Sequence, residues 1–268
     1  MIISLFLGML VGAVQGLTGA GGGILAVPVL MTSLGWTMQQ AAPVALVAVA
    51  ASAAIGAIEG LGRRIVRYKA GLLMAAAGVP FTGLGTGVAR SVPQEWLMMV
   101  FAAILLLVAT RMFRQTRLLA IQNDEPTPAA LARISADTGR FVWTLTTALV
   151  LGGIGIVTGF MAGLLGVGGG FVIVPMLRRF TDLGMHGIVA TSLFVIALVG
   201  TGGVVSALAY GAVLPWMVTA LFASAAVVGM LTARIAGRRL SPFLVQRAFA
   251  SLLVMVACGF FAKAAGYF

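Results

Sequence analysis

A glycine-rich stretch that occurs twice constrains this chain more than any other feature of its sequence. Residues 8–30 align with residues 155–177 at a constant offset of 147, and eleven of the 23 paired residues are identical. Seven of the eleven are glycines, and both stretches end on the same Val-Pro-x-Leu sequence. An internal duplication of this kind indicates that the chain consists of two related halves.

Each copy has two parts with different physical consequences. The first part carries glycines four residues apart, which lie on one helix face and form a flat strip that another backbone can approach closely; these are Gly8, Gly12 and Gly16, and Gly155, Gly159 and Gly163. The second part is a glycine cluster, at residues 19–23 and 166–170. Because each glycine costs about 1 kcal/mol relative to alanine in a helix, we predict a helix break at each cluster. We assign Pro28 and Pro175, which follow the clusters, to the same breaks.

The composition indicates a polytopic membrane protein. Hydrophobic residues make up 61% of the chain and charged residues 9%, and several stretches approach the roughly 20 apolar residues that cross a bilayer. The formal net charge is +11. Since the clusters of basic residues lie between apolar stretches, membrane topology explains this charge better than nucleic-acid binding does.

The apolar stretches have the same order in both halves. The first glycine-rich element is followed by spans at 41–58, 70–89 and 96–110, and the second by spans at 188–209, 215–231 and 249–268. We therefore predict an all-α fold with a first membrane repeat (1–110), a cytoplasmic linker (111–140) and a second membrane repeat (141–268). Each repeat is expected to hold about four helices and to start with a broken or re-entrant glycine-rich element.

The distribution of lysine and arginine predicts the topology, because cytoplasmic loops carry the excess of these residues. If each glycine-rich element enters and leaves the same side, or crosses twice, the loops at 59–69, 111–140, 178–187 and 232–247 share one side and hold 15 of the 17 basic residues. If each element is counted as one span, the 17 basic residues divide into 10 on one side of the membrane and 7 on the other. The first arrangement predicts two inverted repeats in the cytoplasmic membrane, with both termini outside the cytoplasm.

Inverted halves would bring the two breaks to the middle of the bilayer from opposite sides, where secondary transporters bind their substrates. Helix N-termini offer free N–H groups and partial positive charge, so we expect a small anion there. The candidate substrate-binding residues are the clustered glycines and the polar residues near them: Gln15, Thr18, Gly21, Gly22, Gly23, Gly168, Gly169, Gly170, Thr191 and Ser192. At Gly22 and Gly169 we expect a side chain to fill the space that the anion needs. Thr191 and Ser192 could equally bond to their own helix.

Two motifs of the form G-x-x-G-x-G-G-G, each followed by Val-Pro in a chain of about this length, resemble the TauE/SafE sulfite exporter family. The segment Ala190-Thr191-Ser192-Leu193 is also similar to that family, whereas its counterpart Ala41-Ala42-Pro43-Val44 lacks the hydroxyls. The resemblance implies a permease that moves sulfite, a sulfonate or another organosulfur anion, and we expect export by alternating access. An anion channel, or an importer of another small organic anion, is the alternative.

Other classes of function fit the sequence less well. An intramembrane enzyme would need a nucleophile with its base or a set of metal ligands, but the single histidine lies in a loop and no Asp or Glu falls inside a predicted span. We therefore expect no catalytic activity, no cofactor and no metal site. The partners expected are the lipid bilayer and a small anion such as sulfite or a sulfonate. The oligomeric state and the coupling of transport stay open.

Overall fold

A computed structural model describes residues 2–19, 22–119, 132, 141–236 and 242–264. These residues form ten helices: α1 (Ile2–Thr18), α2 (Gly23–Leu34), α3 (Met38–Gly62), α4 (Tyr68–Ser91), α5 (Gln94–Leu119), α6 (Leu145–Leu165), α7 (Gly170–Phe180), α8 (Met185–Ala209), α9 (Trp216–Ala236) and α10 (Pro242–Ala264). Throughout the described ranges there is no β-strand, only one isolated bridge between Ala132 and Thr181. The all-helical prediction is therefore confirmed.

Six of the helices, α3, α4, α5, α6, α8 and α9, contain stretches long and apolar enough to cross a membrane. This confirms a multi-pass membrane protein. In each half the three longer helices follow a pair separated by a glycine cluster, so each half has five helices if the pair is counted as two. The predicted linker starts inside α5, which continues to Leu119. Most of the rest of that linker, and the C-terminal residues 265–268, lie outside the described residues.

The glycine strips predicted from the four-residue spacing are helix-packing surfaces. A methyl group added at Gly12 of α1 would lie 1.8 Å from the backbone oxygen of Ala226 in α9, and one added at Gly159 of α6 would lie 2.0 Å from the backbone oxygen of Gly78 in α4. Such distances leave no room for a side chain on α1 or α6, so only glycine lets the backbones approach this closely. The close-approach prediction is confirmed, and each strip packs against a helix of the other half.

The centre of the bundle is the antiparallel pair α3 and α8. Gly56 of α3 lies against Leu193 of α8, and Gly200 of α8 lies against Ala50 of α3. Next to this pair, α4 packs on α8 and α9 packs on α3, while α5 packs on α10. The most extensive contacts between the halves therefore come in pairs, or join equivalent helices, as if the two halves exchanged places.

The loops gather at two ends of the bundle. At one end, the backbone N–H of Arg67 donates to Thr191 Oγ1 (3.1 Å), and Arg234 bonds to Glu59. We call this end the basic end; it contains residues 59–69 and 178–187 and the end of α9. At the other end, Gln39 Nε2 donates to the oxygen of Ala89 (3.2 Å). Three of the four loops expected on one side thus adjoin each other, and which side faces the cytoplasm stays a prediction.

The prediction that Pro28 and Pro175 break helices was wrong. Pro28 lies inside α2 and Pro175 inside α7, and both helices continue past the proline. A proline removes a single backbone donor and its fixed φ suits a helix, and in membranes neighbouring groups compensate for the lost bond. Pro43 and Pro80 are likewise inside α3 and α4. The helix boundaries lie at the glycine clusters instead.

Candidate functional site

The chain leaves helical geometry at both glycine clusters. Between α1 and α2, Gly19 has φ 77°, and between α6 and α7, Gly166, Gly168 and Gly169 have φ of 71°, 71° and 70°. This left-handed region is open to glycine but costly for residues with a side chain. At each break the chain folds back, because Gly22 lies against Gln15 of α1 and Gly169 lies against Thr158 of α6.

The two breaks meet in the middle of the bundle. A methyl group added at Gly23 would lie 2.6 Å from the backbone oxygen of Val167, and side chains added at Gly23 or Gly168 would both meet Val49. Gly168 also adjoins Ile196, which occupies in α8 the position that Val49 occupies in α3. The N-termini of α2 and α7 therefore adjoin each other between the central helices.

Each break is covered by the opposite half. An added methyl at Gly19 would lie 2.3 Å from Val189 in the first turns of α8, and one at Gly166 would lie 2.3 Å from Ala42 in the first turns of α3. Val189 and Ala42 are again 147 residues apart. Each break is therefore packed against the first turns of the central helix of the opposite half.

Gln15, a predicted site residue, is buried and already bonded. Its Nε2 donates to the oxygen of Val49 (3.3 Å). Its Oε1 accepts from Ser52 Oγ (2.8 Å), whose single hydrogen is shared with the oxygen of Ala48 (2.7 Å). Ser52 is fully buried and was missed by the sequence analysis, although a lone serine inside an apolar span was a usable signal. The pair joins α1 to α3 beside the first break.

The other predicted residues of this group differ in their surroundings. Thr18 Oγ1 donates to the oxygen of Val14 in its own helix (2.8 Å), and Gly21 lies outside the described residues. A methyl group at Gly22 would lie 2.3 Å from the nitrogen of Gln15, and one at Gly169 would lie 2.4 Å from Thr158 Cγ2. The space expected beside these two glycines is therefore filled by α1 and α6. These two glycines allow close packing of the helices. Their backbone N–H groups are what they can offer a ligand.

Two fully buried hydroxyls at the breaks have no hydrogen-bond partner within the described ranges. They are Ser192 Oγ, a predicted site atom, and Thr158 Oγ1. Ser192 follows Val189 by three residues and precedes Ile196 by four, so it shares the helix face that meets Gly19 and Gly168. Buried polar groups are nearly always paired, and an exception calls for a physical explanation.

Thr158 was missed by the sequence analysis, yet the signal was present. Its counterpart in the first half is Val11, so packing of the duplicated element does not require a hydroxyl there. Equivalent contacts, Gly56 with Leu193 and Gly203 with Leu46, keep the offset between the halves at 147, so the pairing of residues 190–193 with residues 41–44 was wrong. The counterpart of Ser192 is Ala45, and the hydroxyls are therefore unevenly divided between the halves. The second half therefore contributes both unpaired donors, and the first half contributes a bonded Gln15–Ser52 pair.

The breaks contain donors but no acidic side chain in the part of the chain that the structure describes. The N-cap glycines of α2 and α7 make no side-chain capping bond, and the first N–H groups of a helix lack partners within it. No group of three or more His, Cys, Asp or Glu that could hold a metal ion occurs among the described residues. The arrangement suits a ligand that accepts hydrogen bonds.

Comparisons with known proteins connect this chain to a transporter family. The family model described as "Sulfite exporter TauE/SafE" matches residues 4–260. A "Probable membrane transporter protein" of Xylella fastidiosa (strain 9a5c) is 27% identical over 263 residues, which cover 96% of this chain and 93% of the relative. The "Probable membrane transporter protein YunE" of Bacillus subtilis (strain 168) is 27% identical over 267 residues, covering 96% of both chains. No solved structure gives a significant match.

Proposed function

Because this chain belongs to the sulfite exporter TauE/SafE family, whose matched relatives are named as membrane transporters, we propose that it exports a small sulfur oxyanion. The cargo is sulfite or a short organosulfonate, and the membrane is the cytoplasmic one. The observation that carries the proposal is the pair of buried, unpaired hydroxyls, Thr158 and Ser192, beside the two adjoining helix breaks.

The donors at the breaks favour an anion over a cation. Two helix N-termini add partial positive charge and free N–H groups, and the two hydroxyls can each donate to an anionic oxygen. The three oxygens of a sulfite or sulfonate group can accept hydrogen bonds from both halves at once. Gly22, Gly23, Gly168, Gly169 and Gly170 would contribute backbone N–H groups, and Thr191 a further hydroxyl.

A site of neutral donors should bind its cargo weakly. Each helix terminus contributes about 0.3–2 kcal/mol toward an anion, and desolvation of the anion opposes this gain. We expect a Kd between micromolar and millimolar, or about −8 to −4 kcal/mol. Weak binding suits a carrier, because the cargo has to leave the site in every cycle.

Helix directions support two inverted repeats. Gly8, Gly12 and Gly16 follow Phe222, Ala226 and Met230 in order, so α1 runs parallel to α9 and toward the basic end. In the same way α6 runs parallel to α4, which starts at the basic end, so α6 runs away from it. The two short pairs would then enter from opposite ends, as in transporters that work by alternating access. The candidate residues are almost all buried. In each half of the transport cycle one end of the helix bundle therefore has to open so that the anion can reach them.

The proposal is tested by transport of ³⁵S-sulfite into proteoliposomes that contain the purified protein. Ser192→Ala and Thr158→Val should each raise KM roughly 10-fold or more, because a hydrogen bond to a charged group is worth about 1.5–3 kcal/mol. Thr201→Val is the matched control, since this exposed threonine of α8 donates only to Ala197 in its own helix. Unchanged KM in both site variants, preferred transport of a cation, or flux that does not saturate would refute the proposed carrier.

A further inference from the structure

The loop between α3 and α4 brings one arginine to the first turns of α8. The loop is tightly held, with Arg63, Arg64 and Ile65 each donating a backbone N–H to the last turn of α3. Arg67 follows as the N-cap residue of α4, and its own N–H donates to Thr191 Oγ1 (3.1 Å). The Arg67 guanidinium is therefore attached to a short, well-bonded segment at the basic end.

Arg67 differs from the other arginines around it. Arg63 and Arg234 both bond to the carboxylate of Glu59, and Arg64 is exposed to solvent. The Nε of Arg67, by contrast, is shielded from solvent and has no hydrogen-bond partner among the described residues. It is the one charged side chain with a buried, unpaired nitrogen in the described ranges. A shielded Nε–H without a protein acceptor calls for a physical explanation, and a small oxyanion is an acceptor that suits an arginine side chain.

The backbone of Arg67 is also bonded to α8, the helix that covers the first break. Thr191 is fully buried and accepts from Arg67, which leaves its hydroxyl hydrogen to donate elsewhere. The next residue in α8 is Ser192, whose unpaired hydroxyl is on the face that meets Gly19 and Gly168. Arg67, Thr191 and Ser192 thus place three donors on the loop before α4 and the first turns of α8, between the basic end and the centre.

We propose that Arg67 and Thr191 form an outer binding site for a small oxyanion, which the cargo occupies on its way between the basic end and the helix breaks. This inference rests on the proposed anion transport. The positive charge lies outside the central site, where it attracts the anion without holding it too tightly for release. Arg67 would govern how fast the anion enters and leaves, and Ser192 and Thr158 how tightly it is held.

The experiment separates rate from equilibrium affinity with Arg67→Gln, which removes the charge. In neutral phosphatidylcholine vesicles we expect kcat/KM for sulfite to fall about 10-fold, equally in both directions because passive transport has no preferred direction at equilibrium. Calorimetry on the purified variant should give a Kd within about 2-fold of the wild type. The rate should also lose much of its dependence on ionic strength, since screening acts on the missing charge. Lys69→Gln removes an exposed charge two residues away and should change neither quantity.

Arg67→Lys keeps the charge but loses the Nε donor, and it covers the case in which the glutamine variant does not fold. Its kcat/KM should fall only about 3-fold. The inference is overturned if Arg67→Gln and Arg67→Lys both transport at the wild-type rate, if Kd weakens in parallel with the rate, or if Lys69→Gln has the same effect. A defect that appears only in vesicles with added phosphatidylglycerol would assign the site to a lipid headgroup and also overturn it. Failure of the wild-type protein to move sulfite refutes the proposed function itself and is visible before any variant is compared.

Discussion

Two glycines of α6 offer a direct test of the packing on which the candidate site depends. A methyl group added at Gly159 would lie 2.0 Å from the backbone oxygen and 2.7 Å from the Cα of Gly78, whereas one added at Gly152 meets nothing within 4 Å. Gly159→Ala and Gly152→Ala therefore make the same chemical change on the same helix. Only the first of them forces α6 and α4 apart.

The difference between the two variants follows from these distances. Carbon and oxygen atoms in favourable contact lie about 3.5 Å apart, so α6 would have to move by roughly 1.5 Å at Gly159. Alanine gains about 0.5–1 kcal/mol over glycine in a helix, and this gain is common to both variants. Overpacking costs about 1–3 kcal/mol and applies to Gly159→Ala alone. At about 2–4 °C per kcal/mol for a chain of this size, the Tm values should differ by roughly 2–12 °C, with Gly159→Ala the lower.

Thermal unfolding in detergent, followed by the fluorescence of the four tryptophans, measures this difference. Gly152→Ala should equal or exceed the wild type in Tm. Transport by the folded fraction of Gly159→Ala should also fall, because α6 ends at the second break. Equal Tm values for the two variants, or a higher Tm for Gly159→Ala, would refute the close contact between α6 and α4.

Three further predictions address the surroundings of the site. Ser52→Ala leaves the buried Gln15 without its donor and should lower the free energy of unfolding by about 1–3 kcal/mol, measured by Tm; full stability would show that the bond is not formed. Thr37→Ala removes the capping box of α3 and should cost about 0.5–2 kcal/mol in the same assay, and no loss would contradict that cap. With the single native cysteine replaced by serine, Lys69→Cys should react with an impermeant thiol reagent from the cytoplasm only and Val213→Cys from outside only. The opposite result would reverse the proposed topology.

Local properties of the sequence were enough to predict several features. The ends of α1 at Thr18 and of α6 at Leu165, each just before a glycine cluster, follow from glycine's poor helix propensity, which acts within a few residues. The strips at Gly12 and Gly159 follow from the four-residue spacing alone, because side chains four apart share a helix face in any context. The length of an apolar stretch predicts a membrane span in any context, because bilayer thickness is fixed. The sequence analysis failed at Pro28 and Pro175, where a general rule about proline was applied inside membrane helices that tolerate it.

The partners of these elements were decided by tertiary structure. The spacing of the glycines in α6 predicts that a helix packs there, but α4 is identified only by the fold, because many other helices could present a small-residue face. Likewise Gln15 and Ser192 look alike in the sequence as polar residues near glycine clusters. Gln15 is bonded because Ser52 of α3 happens to lie opposite, and Ser192 is unpaired because the breaks adjoin it. Whether a buried polar group has a partner depends on residues far away in the chain, and hydrogen bonds over such distances are set by packing rather than by local preference.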